Sequence, residues 1–551
     1  MKYLKKIRNY DLLKQGQQVY KKIPSLYKST FWIVFIVLNI VYAYHTVNFF
    51  WGNHEWPLMR GIVPLNRFWY EGRFTETIPY LLVGSRFLPV LQNLFSFTGI
   101  GLSAILLAVY WGVPKQKFFF TGFCLIMALM PYNLLWFYHI AQACFFWGGG
   151  LIAGALLCYE KKWGTKFFPL WMIGVTGILF FVLGMNACFI NTILIYVVGR
   201  HFLAVMTGEK VTLAVKKCIG IGCCVAGATA LLKGGLLLAS HYHILSDNFY
   251  NVQHISVQEI FPKMWAMLPS YFTQFTVTYP FVDARYLGIW GCLCGVSLCM
   301  TFWYSIRKKG IIQGAGIFLA MVIGLLFSSQ LAVLVSKTDV SFWLRVTGYF
   351  GHYYIFALML VFLCRFATGV WGRNFIVISF VILGIAGAYR DMYAMRVWKQ
   401  GRDAEEKVMD RIMYRIEQTE GFSYDNKYGI LMLGDPSFRK RYYDGAYESE
   451  DWSVLGWSYR SPWETRTYFN FYAPKDFINR NYRFYWNFDF VEELFSSVSS
   501  ETLRFIRNNA RVWPDKNSVL IKDGVIFIFW DQGELNELKD RISDYLRTRI
   551  W

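Results

Sequence analysis

No cysteine follows Cys364 in this 551-residue chain, and no two of its eleven cysteines form a C-x-x-C pair. That usage excludes a disulfide framework. Cys223–Cys224 and Cys292/Cys294 read instead as small apolar residues within helices. Charge is also scarce, with Asp, Glu, Lys and Arg at 17% against 55% hydrophobic residues and a mean hydropathy of +0.31. Together with repeated long apolar runs, this excludes a string of soluble domains and points to a polytopic membrane protein. The motifs GxxxxGK[ST], HExxH, GxSxG and Asp-x-Asp are missing too. Their absence argues against cytoplasmic nucleotide-dependent chemistry and directs attention to substrates reached from the outer face.

What is present is positive charge, +20 in all. Residues 391–551 hold about 24 Lys and Arg against about 26 Asp and Glu, so roughly +22 belongs to residues 1–390. Basic residues in a membrane half mark cytoplasmic loops and meet anionic lipid, so nucleic acid is not an expected partner. Residues 1–29 form a basic segment, expected to be cytoplasmic, with Asp11 as its one acid. The apolar run 31–50 is too long for a signal-peptide core and reads as a retained first span. Further spans are expected near 88–112, 117–132, 136–158, 167–184, 187–206, 214–240, 286–306, 311–335, 346–367 and 374–391, about eleven in all.

Loop charge tests that count. Alternate connections carry Lys115/Lys117, Lys161/Lys162/Lys166, Lys210/Lys216/Lys217, Arg307/Lys308/Lys309 and Arg365/Arg373, while those near Tyr132 and Asn186 carry none. The alternation predicts an inner N-terminus, an outer C-terminus and a multi-span domain over 30–392. Its outer loops are 52–87, 241–285 and 336–345. The second is aromatic and nearly uncharged, suited to interfacial helices. His241, His243, Asp247 and His254 lie in or beside it, but H-x-H on an irregular segment is weak evidence for a metal, and none is expected. Residues 393–551 read as an extracytoplasmic α+β domain. It begins with a charged amphipathic helix, DAEEKVMDRIMYRIEQTE, and continues with a buried strand in YGILMLG. In SVLIK-DG-VIFIFW, Asp523-Gly524 predicts a type I′ hairpin, and a helix follows over about 534–549.

The segment Asn53–Arg86 concentrates ionisable groups against the end of the first span. Glu55 follows that span closely. Partial desolvation raises a carboxylate's pKa and a neighbouring Arg lowers it, a balance that can leave a general base. Arg60, Arg67, Arg73 and Arg86 offer bidentate donors for phosphate oxygens. Base beside anion clamp fits group transfer from a phospholipid-like donor to a hydroxyl. Juxtamembrane Arg and Trp also serve as interfacial anchors, and spacing alone leaves both readings open. Glu71 and Glu76 are fallback acids. Lys233, inside an expected span, either snorkels to the interface or faces a lipid-carrier groove.

The stretch NHEWPLMRG…NRFWYEGRFTETIPYLLVGSRFLPVLQNLFSF resembles the first outer loop and second span of O-antigen-modifying glucosyltransferases of the GtrII type, within the GT-C superfamily. His54-Glu55 stands where that pattern has an acidic pair. Arg60 follows, Gly72-Arg73-Phe74 matches its GR motif, and Pro89 opens the second span. SFWLRVTGYF resembles the family's late loop with its Arg at Arg345, and RVWPDKNSVLIKDGVIFIFW resembles its closing module. The resemblance covers most of the chain in layout and three short stretches in residues. It implies a GT-C-like fold and an inverting transfer of a sugar, glucose in the type family, from a polyprenyl-phosphate carrier. The implied acceptor is a hydroxyl of a surface polysaccharide or glycolipid at the outer face of a bacterial cytoplasmic membrane. It implies Glu55 as base and Arg60, Arg73 and Arg345 as phosphate partners, without a cofactor. His54 leaves a single acid where the family has two; it either orients the acceptor, contacts phosphate, or has no role. Implied partners are membrane lipid, a polyprenyl-phosphate sugar synthase and a small flippase. Two other classes stay open: a transporter or flippase of lipid-linked saccharides, and a non-catalytic envelope scaffold.

Overall fold

A computed structural model describes residues 18, 20–48, 75, 77–78, 88–137, 144–242, 258–259, 262–266, 284–334, 348–366, 369–433, 469–470, 473, 477–478 and 495–548. Among them, eight helices are long and apolar enough to cross a membrane, which makes the chain a polytopic helical membrane protein. These are α2 (Pro89–Trp111), α5 (Phe168–Met185), α6 (Phe189–Met206), α7 (Val211–His241), α8 (Ala284–Lys309), α9 (Ile311–Leu334), α10 (Tyr353–Phe366, entered through a π-helical turn, Gly348–His352) and the first part of α11 (Gly369–Glu417). Three shorter or more polar helices, α1 (Ser25–Val41), α3 (Lys117–Ala128) and α4 (Phe145–Lys162), pack within the same bundle.

Local chemistry moves three boundaries from their expected places. Pro24 is extended, and its carbonyl accepts from Tyr27 and Lys28 N–H, so α1 starts before the apolar run; it breaks at Tyr42 and resumes over Ala43–Val47. The fourth helix carries on through Glu160, Lys161 and Lys162 because Arg200 neutralises Glu160. The last span runs without interruption into the polar domain, since Ile412, Met413 and Ile416 find a second core there.

Side-chain contacts mark the two ends of the bundle. Asn93 at the start of α2 bonds Thr46, and Tyr42 bonds Asp391. Asn191 at the start of α6 donates to Ser329 O and accepts from Ala332 N late in α9. These contacts define end A of the bundle. At the other end, B, Arg365 closing α10 donates to Gly112 O, and Ser305 on α8 meets Met206 Sδ. The eleven helices alternate between the two ends. Lipid offers no hydrophobic drive between helices, so close approach of small residues and polar bridges hold them. Ser103 on α2 does this for α4, donating to Phe146 O at 2.7 Å and accepting from Gly150 N at 2.8 Å.

Past end A, α11 packs on a three-stranded sheet of order β1–β3–β2. Strand β1 (Gly429–Leu433) lies parallel to β3 (Val525–Phe529), and β2 (Val519–Lys522) antiparallel to it. Alternation sends Ile526 and Ile528 to the α11 face, with Ile412 and Ile416. It sends Val525, Phe527 and Phe529 to the opposite face, where α12 (Ser500–Asn509) and α13 (Gln532–Thr548) close the layer. Helix α13 buries Leu535, Leu538, Ile542 and Leu546, a stripe at helical spacing; each is worth roughly 1.5–3 kcal/mol. The turn between β2 and β3 has Asp523 at φ 48° and Gly524 at φ 73°, the two left-handed positions of a type I′ turn.

Candidate active site

End A gathers the structural frame of the expected site. The described helix ends that flank 49–87, 243–283 and 335–347 all lie there: Asn48 and Leu88, Tyr242 and Ala284, Leu334 and Gly348. Within 49–87 the described residues are Thr75, Thr77 and Ile78. Thr75 and Thr77 are buried, and Thr75 Oγ1 donates to Phe181 O near the end-A terminus of α5 at 2.8 Å. That bond ties Thr75, two residues after Arg73 in sequence, to the bundle. The Gly348–His352 turn follows Arg345 by three residues and is held by Thr192 Oγ1, which donates to Phe350 O at 3.0 Å. Turns of this kind inside helices often sit at functional sites.

Below this frame is a polar layer that local patterns do not announce. Asp391 on α11 is fully buried and accepts from the Tyr42 hydroxyl at 2.8 Å. Its Oδ1 has no hydrogen-bond partner among the described residues. Three residues from Tyr42, His45 is buried against Trp398, with ring centroids 5.5 Å apart, and its Nδ1 lies 3.3 Å from Asn93 Nδ2. Sequence reading passed over Asp391 as a boundary. Its only local signal was an Asp at the end of an apolar run, which in lipid is costly enough to imply a partner.

Of the expected site residues, Lys233 is described: it is exposed on α7, about two turns before its end-A terminus. His54, Glu55, Arg60, Arg67, Glu71, Arg73, Glu76 and Arg345 lie outside the described residues. Arg86, His243, Asp247 and His254 do so as well. No group of three or more His, Cys, Asp or Glu suited to a metal occurs among the described residues. No family model, curated protein or solved structure matches this chain.

Farther into the bundle a small cavity of about 10 Å³ is lined by Asn133, Tyr196, Tyr349, Tyr353 and Tyr354 among apolar neighbours. It is far too small for a sugar. End A is the place in the described bundle where helix termini, a buried carboxylate and loop anchors come together.

Proposed function

We propose that the chain is a membrane glycosyltransferase of GT-C type. It moves a sugar from a polyprenyl-phosphate carrier to a hydroxyl of a surface polysaccharide or glycolipid. One observation carries the reading: Thr75 and Thr77, flanking Glu76 in the charged segment, are buried, and Thr75 is bonded to Phe181 O near the end-A terminus of α5. A segment rich in Arg and Glu that follows a membrane span closely in sequence suits a lipid-phosphate donor better than a soluble one.

The assignment of sides rests on charge. Lys161, Lys162, Arg307, Lys308, Lys309 and Arg365 close helices at end B, so the positive-inside rule makes B cytoplasmic and A external. The bundle then crosses a bacterial cytoplasmic membrane eleven times, with the α/β domain outside. In the reaction Glu55 takes the proton of the acceptor hydroxyl as that oxygen attacks the anomeric carbon. The bond from that carbon to the phosphate oxygen breaks on the opposite face, and the polyprenyl phosphate leaves with the electron pair. The configuration at the anomeric carbon inverts. Arg60, Arg67, Arg73 and Arg345 stabilise the phosphate as charge grows on it. His54 and Lys233 complete the donor and acceptor contacts, and Glu71 and Glu76 are the alternative bases.

The test is sugar transfer by purified protein from a polyprenyl-phosphate donor. Wild type is expected to transfer label to a saccharide acceptor and Glu55→Gln to lose that activity. Wild-type movement of lipid-linked sugar between leaflets with no change in its mass would replace this reading with a transporter.

A further inference from the structure

A second cluster lies at the opposite end of the bundle, and it uses none of the residues assigned to glycosyl transfer. At end B, α2 ends on Gly112 in the left-handed conformation, φ +66°. Arg365 from α10 donates through Nε to Gly112 O at 3.0 Å, and its Nη2 donates to the same oxygen. Arg200 from α6 grips Glu160 with Nε at 3.0 Å from both carboxylate oxygens and Nη2 at 2.7 Å from Oε2. The two guanidinium groups converge. A Cβ on Gly112 would collide with Arg365 Nη2 and lie 3.9 Å from Arg200 Nη1.

The charges there are incompletely matched. Glu160 neutralises Arg200, whereas Arg365 meets a carbonyl and faces no carboxylate among the described residues. The Nη1 donors of both groups are used by no protein acceptor among those residues. Two buried polar side chains border the cluster. Tyr110, whose ring lies 5.9 Å from Arg200 Cζ, has a hydroxyl without a partner among the described residues. His201 is 5% exposed, and neither of its ring nitrogens has a partner among them. Like charges brought together at a half-buried position are unfavourable unless an anion joins them.

We infer that Arg200 and Arg365 form a binding site for the phosphate group of an anionic lipid headgroup at end B. Planar guanidinium forks match phosphate oxygens in pairs, and basic pockets between spanning helices are where anionic headgroups dock. Gly112 admits the Arg365 fork because it has no side chain. Arg200, held by Glu160, turns Nη1 toward the same point.

The test uses the full chain in detergent, with thermal unfolding followed against added phosphatidylglycerol, net-neutral phosphatidylcholine and inorganic phosphate. Phosphatidylglycerol is expected to raise the unfolding midpoint more than phosphatidylcholine does. Arg365→Gln should weaken that response about tenfold in apparent affinity, the loss of one charge-assisted contact. Lys166→Gln, at an exposed basic position of the same end, should change it by less than about twofold. A response to inorganic phosphate as well would make free phosphate the source; a response to the lipid alone makes it the headgroup. Where Arg365→Gln does not fold, Arg365→Lys keeps the charge, loses the fork, and should bind more weakly than wild type. Equal wild-type responses to the two lipids would overturn the inference. So would unchanged phosphatidylglycerol affinity in Arg365→Gln, or in Arg365→Lys where that variant stands in.

Discussion

The hydroxyl of Tyr42, at the break in α1, donates to Asp391 on α11 at 2.8 Å, across 349 positions of sequence. Both residues are fully buried; Tyr42 bonds Asp391 Oδ2, and Oδ1 has no hydrogen-bond partner among the described residues. The bond joins the first helix to the one that carries the α/β domain. Arg390, the preceding residue on α11, is buried as well.

Tyr42→Phe takes the hydroxyl donor away and leaves the carboxyl group buried. The expected cost is about 1–3 kcal/mol. Changing both partners should cost less than the sum of the single changes, because Tyr42→Phe with Asp391→Leu leaves no orphaned acid. A double-mutant cycle on the purified chain's thermal stability checks this; strict additivity would mean that the bond carries no coupling.

Gly387 on α11 faces α3 so closely that an added Cβ would lie 2.5 Å from Leu129 O. That oxygen is backbone and cannot swing away. Gly387→Ala should therefore destabilise by about 1–3 kcal/mol. Gly384, one turn earlier, has nothing within 4 Å of its Cβ position. Gly384→Ala should be neutral or stabilising by up to about 1 kcal/mol through helix propensity. Comparable losses at the two sites would contradict the packing of α3 against α11.

Asp523, in the hairpin turn, accepts a 2.6 Å hydrogen bond from Ser499 N just before α12. That backbone bond holds its carboxyl below the usual range, with Ser499 and Thr502 side chains and Lys522 lowering it further. The carboxylate's contribution is thus full above the unfolded pKa of about 4 and disappears as pH falls through the lower folded value. Because the group is exposed, water screens it and the effect stays below about 1 kcal/mol. Protection of the β2–β3 amides, taken relative to unfolded-chain exchange at the same pH, should fall in wild type below about pH 4. Asp523→Asn, which tolerates the left-handed turn, should show a flatter acid response.

On the proposed reaction, Glu55→Gln should lower the rate of sugar transfer by about 10²- to 10⁴-fold, the range for a lost general base. Glu71→Gln and Glu76→Gln should retain activity within about tenfold of wild type if they only shape the loop. A larger loss at either position than at Glu55 moves the base to that position. Initial rates at saturating donor decide between the three.

Much of this architecture is local and was legible in the residues themselves. A bilayer demands about twenty apolar residues per helix, so spans declare themselves by length, and their basic connections alternate. Asp523-Gly524 specified its hairpin, and the leucine–isoleucine stripe of α13 its helix, because turn and helix chemistry act over a few residues. The long arrangements were not legible. That β1 adds parallel to β3, that Tyr42 meets Asp391, and that Arg200 and Arg365 converge at Gly112 depend on residues far apart in sequence. Such pairs share no period or motif. They exist because each buried polar group had to find whatever partner the packing of neighbouring helices brought within reach.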